Sequence, residues 1–148
     1  MAKKKTVNIG MIGQGFMGRT HSNAWTQVPR FFDPPLTPVM HTCFGQPEEN
    51  PQDFADMWGW ANISTDYRKL VRSPEIDLVD IVVPNFLHAK AAAAALEAGK
   101  DVACEKPIAR TLDEGREMVR LAKKAGVRTF VWYNYRRCPA VALAYQLA

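Results

Sequence analysis

Residues able to do chemistry gather at four places in this chain. Gly13, Gly15 and Gly18 stand in the spacing G-x-G-x-x-G, with Gln14, Phe16 and Met17 between them. Pro84 and Asn85 lie just upstream of His88. Glu105, Lys106 and Pro107 are consecutive, and Asn134 opens a polar run that continues through Arg136 and Arg137 to Pro139. The glycines suit a pyrophosphate. The first permits a tight turn, the second removes the Cβ that would hold an anion off the backbone, and the third lets a helix pack closely on a strand. Unpaired N–H groups and the helix dipole then favour negative charge at that helix start. A lysine between a buried strand and a proline points its charge into a cleft, where it can stabilise a developing oxyanion. Each cluster also has a plainer reading. The glycines fit an ordinary turn, Asn85 an N-cap, His88 a satisfied polar residue, Glu105 and Lys106 a surface ion pair, and Arg136 and Arg137 either a charge pair at a helix start or an anion clamp.

The elements that position these clusters follow from hydrophobic pattern and breakers. Val7–Ile12 reads as the first strand and Gly15 to Val28 as the first helix, followed by an irregular excursion over Pro29–Pro38 that holds four prolines. Pro38–Phe44 reads as the second strand, Asn50–Gly59 as a helix stopped by its glycine, Asn62–Thr65 as a short strand, and Asp66 as the cap of a helix through Arg72. Leu78–Val83 is a near-continuous apolar run, as expected of a parallel strand buried on both faces. A helix from Phe86 to Ala98, a strand over Asp101–Cys104, a helix opened by a Thr111/Glu114 capping box and closed at Gly126, and a strand over Arg128–Tyr133 complete the pattern. Strands alternating with helices predict an α/β fold with a doubly wound parallel sheet. In such a sheet ligands sit beyond the carboxyl ends of the strands, and all four clusters fall there. Trp25, Phe31, Phe32, Trp58 and Trp60 are expected in the core or an interface. Of Trp132 and Tyr133, one should face the cleft side of the sheet.

Composition narrows the function classes. The net charge of +4 rests partly on Lys3, Lys4 and Lys5, read as solubilising; no basic stripe with interleaved aromatics follows, which argues against a nucleic-acid partner. Three cysteines without C-x-x-C spacing fit a reducing compartment, argue against a disulfide framework, and predict no metal site. No apolar run is long enough for a membrane span and no secretory segment is evident, so the chain is expected to be cytoplasmic.

Taken together, four stretches resemble the Gfo/Idh/MocA oxidoreductases: Gly10-Met-Ile-Gly-Gln-Gly-Phe-Met-Gly18, Asp80-Ile-Val-Val-Pro-Asn-Phe-Leu-His88, Ala98-Gly-Lys-Asp-Val-Ala-Cys-Glu-Lys-Pro107 and Asn134-Tyr-Arg-Arg-Cys-Pro139. The resemblance implies a Rossmann domain over residues 1–135. It also implies that residues 136–148 begin a linker helix into a C-terminal α/β substrate domain outside this chain. It implies hydride transfer between NAD (or NADP) and a sugar or polyol hydroxyl carbon, and a homo-oligomer as the full-length protein. Lys106 is implied as the catalytic lysine. Gly13, Gln14, Gly15, Phe16, Met17, Gly18, Gln46, Pro84, Asn85, His88, Glu105, Lys106 and Asn134 are implied around the cofactor, with Asn85 and His88 near its nicotinamide half and Glu105 and Pro107 fixing the lysine. The family often holds the Lys–Pro bond cis.

Two departures stand out. No histidine here has an aspartate four residues earlier, as the family's general base does in its second domain. The end of the second strand also lacks the usual acidic residue for a ribose hydroxyl. It carries Gln46, which offers no charge to a 2′-phosphate and tilts the expectation to NAD, with Glu48 and Glu49 adding to it if they are close. The alternative is a dinucleotide-binding module without chemistry. A short-chain dehydrogenase is disfavoured because no tyrosine has a lysine four residues later, and a methyltransferase would not need the lysine motif.

Overall fold

The structure is a computed structural model that describes residues 5–148. Lys3 and Lys4 therefore lie outside the described residues, whereas Lys5 already opens the first strand. The strands are β1 (Lys5–Ile12), β2 (Leu36–Phe44), β3 (Asn62–Ser64), β4 (Leu78–Ile81), β5 (Asp101–Glu105) and β6 (Thr129–Trp132). The helices are α1 (Phe16–Phe31), α2 (Pro51–Trp58), α3 (Tyr67–Arg72), α4 (His88–Glu97), α5 (Leu112–Ala125) and α6 (Pro139–Leu147). The six strands form one sheet in the order β3-β2-β1-β4-β5-β6, and every pairing is parallel. This is the expected doubly wound Rossmann arrangement. Chain direction across the sheet reverses between β1 and β4, so a crevice opens beyond the ends of those two strands.

Two apolar layers hold the sheet. One packs Val79, Ile81, Val102 and Cys104 against Ala92, Ala95 and Leu96 of α4 and Met118 and Leu121 of α5. Alanine on α4 lets that helix approach closely. The other layer joins Ile9, Met11 and Cys43 to Phe54, Ala55 and Trp60. Burial raises the Cys43 thiol to about 11 and the Cys104 thiol to about 12, the latter helped by the carboxylates of Asp80 and Glu105.

The structure departs from the expected pattern in a few places. Helix α1 runs through Pro29 to Phe31, since a proline in the last turn removes few helical hydrogen bonds. Strand β2 begins at Leu36 and contains Pro38. Pro38 stands in register with Val7 of β1, but only Thr42–Phe44 of β2 pair with β3, so its other side is open and the missing N–H costs no bond on that side. Thr111 accepts the Glu114 N–H as a cap should, but the Glu114 carboxylate reaches the N–H of Arg110 rather than that of Thr111. Phe31 and Phe32 are exposed on this chain instead of packing in its core. Among the described residues no helix is long and apolar enough to cross a membrane.

Candidate active site at the carboxyl end of the sheet

The glycine turn divides its labour as its spacing predicts. Gly13 has φ +119°, and a Cβ there would meet the Val82 backbone at 3.0 Å. A Cβ on Gly18 would come within 2.5 Å of the Gly13 carbonyl oxygen. These two glycines are demanded by the fold. Gly15 is not, because a Cβ there would meet nothing within 4 Å. Its missing side chain leaves open the space above the first turn of α1, where no side chain caps the helix and no acidic residue stands. Such a cradle, with free N–H groups and nothing to repel an anion, fits a pyrophosphate. Phe16 projects into solvent, Met17 is half-buried and Gln14 is buried. The Gln14 amide fills the space that a side chain at Gly45 would need, and its Oε1 has no hydrogen-bond partner.

Beside the glycine turn, a cleft of about 190 Å³ is lined by Ile12, Phe44, Gln46, Tyr67, Leu87 and Lys90. It lies at the ends of β1 and β2, where the adenosine half of a dinucleotide belongs in this topology. Gln46 is exposed, and its own N–H donates to the Glu49 carboxylate at 2.7 Å. A negative charge thus sits within a few residues of the cleft.

Across the crevice, the β4 and β5 ends are tied together. The Asn85 Nδ2 donates to the Pro107 carbonyl at 2.7 Å. Buried His88 places Nδ1 2.9 Å from the same oxygen and Nε2 2.8 Å from the Val83 carbonyl. Asn85 therefore does not cap a helix. Both side chains are spent on holding Pro107 against the end of β4. The Lys106–Pro107 peptide bond is cis.

Glu105 and Lys106 are not a surface ion pair. Glu105 is buried, and its Oε2 accepts the backbone N–H of Lys106 at 2.9 Å. The Lys106 side chain is exposed and, among the described residues, makes no ion pair. A free ammonium thus stands on a turn whose flanking residues are both fixed. Pro84 is exposed beside this turn, and Asn134 is exposed at the start of a 3-10 turn over Asn134–Arg137 beyond β6.

Sequence reasoning missed the group beneath the lysine. His21 of α1 is buried between two carboxylates, with Nδ1 2.9 Å from Asp80 Oδ2 and Nε2 3.2 Å from Glu105 Oε1. Asp80 is wholly buried and also accepts the indole N–H groups of Trp25 at 2.8 Å and Trp132 at 2.9 Å. Burial alone would lower the His21 pKa, but the hydrogen bonds and charges of Asp80 and Glu105 outweigh it and raise the value above the usual 6.5. Trp132 is the inward-facing partner of its pair, and Tyr133 is exposed.

The glycine cradle and the wound sheet have a family behind them. Residues 7–133 match the model of the Gfo/Idh/MocA oxidoreductase family, NAD-binding Rossmann fold. This chain belongs to that family. It is 44% identical over 95% of its length to levoglucosan dehydrogenase of Pseudarthrobacter phenanthrenivorans, covering 36% of that protein. A solved levoglucosan dehydrogenase in complex with NADH and levoglucosan superposes on 96% of the chain with a TM-score of 0.89 at 43% identity, the chain covering 39% of it. The scyllo-inositol 2-dehydrogenase (NADP(+)) of Bacillus subtilis is 29% identical over 90% of the chain and 35% of its own length. The chain thus spans somewhat over a third of the length of the relatives it matches. Its cofactor class is that of the family, NAD.

Proposed function

We propose that this chain is the cofactor-holding and lysine-bearing part of a dehydrogenase that oxidises a secondary hydroxyl of a sugar or polyol. The observation that carries the reading is Lys106: a free, exposed ammonium on a turn fixed by Glu105 on one side and by Asn85 and His88 on the other. Nothing in the packing of the fold asks for a charged side chain there. Gly13, Gly15 and Gly18, with Gln14, Phe16 and Met17, would cradle the pyrophosphate; Gln46 would face the adenosine ribose; and Pro84, Asn134 and the tied Pro107 turn would border the nicotinamide half. Bound NAD supplies the hydride acceptor. Lys106 would bind the substrate hydroxyl and favour the alkoxide character that develops on its oxygen as the carbon is oxidised.

The sugar or polyol class draws support from the names of the relatives, which include levoglucosan and scyllo-inositol dehydrogenases. None of the three histidines is placed as a free base at the site. His21 and His88 are buried in the contacts above, and the ring of His41 meets Thr42 and Glu75. The non-catalytic module keeps its cradle but gives Lys106 no task.

Calorimetric titration of the chain with NADH and NADPH, followed by NAD-dependent turnover of levoglucosan and inositols by the full-length protein, tests the reading. Saturable NADH binding, tighter than NADPH, together with turnover is the expected result. NADH binding without turnover on any sugar or polyol would favour the module. Tighter NADPH binding would overturn the role given to Gln46.

A further inference from the structure

His21 is four residues upstream of Trp25 on α1, so both side chains lie on the inward face of that helix. There they meet β4, β5 and β6. The ionisable groups reaching the His21 ring are Asp80 from β4 and Glu105 from β5. Trp25 from α1 and Trp132 from β6 complete the enclosure, the latter edge-on to the ring at 5.3 Å. The adjoining Cys104 thiol, held near 12, stays neutral. Asp80 acts only as an acceptor, from two indoles and one imidazole nitrogen. Glu105 faces His21 with one oxygen and takes the Lys106 backbone N–H with the other. A ring that donates from both nitrogens satisfies every one of these acceptors, and a neutral ring leaves one carboxylate oxygen facing a lone pair.

We propose that His21 is a positioning residue for Lys106: its imidazolium, clamped between Asp80 and Glu105, fixes the carboxylate that holds the Lys106 backbone. This inference rests on the reading of Lys106 as the group at the reacting oxygen. It makes the lysine's placement depend on a proton buried one layer below it. Deprotonating His21 leaves two buried carboxylates facing a ring with one N–H, and Glu105 is the partner free to swing towards the site, because Asp80 keeps its two indole donors.

The test uses the 148-residue chain without cofactor. The His21 ring nitrogens and the Lys106 amide are followed by nuclear magnetic resonance across a pH titration. Both ring nitrogens should be protonated at neutral pH. The Lys106 amide shift should follow the His21 transition with the same midpoint, above the ordinary histidine value. Hydrogen exchange at that amide should be slow below the midpoint, and about 10–100-fold faster than intrinsic pH dependence predicts above it, the size of one charge-assisted hydrogen bond. In Glu105→Gln, which keeps the shape and removes the charge, the His21 midpoint should fall and the Lys106 response flatten. A Lys106 amide indifferent to the His21 transition, or an unmoved midpoint in Glu105→Gln, overturns the inference. NADH titration of the same sample separates the two claims. Failure to bind NADH counts against the proposed function, whereas loss of the His21–Lys106 coupling with NADH binding intact counts against this inference alone.

Discussion

The two ends of the parallel sheet carry comparable polar equipment and use it in opposite ways. At the amino end, a cleft of about 390 Å³ is lined by Asp77, Lys100, Asp101 and Arg128 among others. Every one of those charges is spent. Lys100 Nζ donates to the Ser73 and Ile76 carbonyls at 2.7 Å each. Asp77 Oδ2 accepts the Asn8 N–H at 2.8 Å, and Arg128 pairs with Asp101 at 2.6 Å. At the carboxyl end, the Lys106 ammonium, the first-turn N–H groups of α1 and the space above Gly15 are left open. Neither the size of a hollow nor its charge marks the candidate site. Donors held in place without an internal partner do, because the chain forgoes that stabilisation and only a ligand recovers it.

Substitutions at the two ends should therefore separate. The largest effect is expected for Lys106→Ala, with turnover on the full-length protein falling about 10²–10⁴-fold. NADH affinity should change little, and thermal stability should move by no more than about 0.5 kcal/mol. An equally large drop in NADH affinity would turn Lys106 into a binding residue. Next, Gly18→Ala drives a methyl against the Gly13 carbonyl. It should cost about 1–3 kcal/mol in denaturant unfolding, with NADH affinity falling alongside. Gly15→Val should split those two readouts. With no neighbour to clash with, unfolding changes by less than about 1 kcal/mol, while calorimetry shows NADH binding weakened about 10–100-fold, as for one lost hydrogen bond to a charged group. Comparable destabilisation in both glycine variants would dissolve the distinction between them. The smallest effect belongs to the amino end. Arg128→Ala removes an ion pair whose guanidinium is largely exposed; it should cost about 1 kcal/mol and leave NADH affinity unchanged. A loss of binding there would break the contrast between the two ends.

Much of this contrast is legible in the chain itself. The strand runs and breakers specify all six strands, and the polar residues directly after them specify the sheet end that carries the candidate site. The division between Gly13, Gly15 and Gly18 follows from the motif. What local pattern cannot supply is contact across the sheet. His21 meets Asp80 at a separation of 59 residues and Glu105 at 84. Two signals were nevertheless present. Asp80 interrupts the apolar run Leu78–Val83, and a carboxylate in a strand buried on both faces has to find partners. His21 and Trp25, both able to donate, share one helix face. Asn85 and His88 are correctly read as polar residues at a strand end. Their targets, two backbone carbonyls, depend on how the Pro107 turn folds back, and side-chain spacing does not encode that. The end of α1 is similarly set by tertiary context, which carries the helix past Pro29.

The burial of Cys43 and Cys104 gives the chain a chemical handle. With thiols near 11 and 12, only about one in 10⁴ of Cys43 and fewer of Cys104 is thiolate at neutral pH, and both sulfurs are closed off from reagents. Cys138, half-exposed at the start of α6, is the remaining thiol. A maleimide dye should therefore mark one position of this chain without mutagenesis, four residues past Asn134 at the carboxyl end of the sheet. That would provide a fluorescent reporter of ligand arrival in the unaltered sequence.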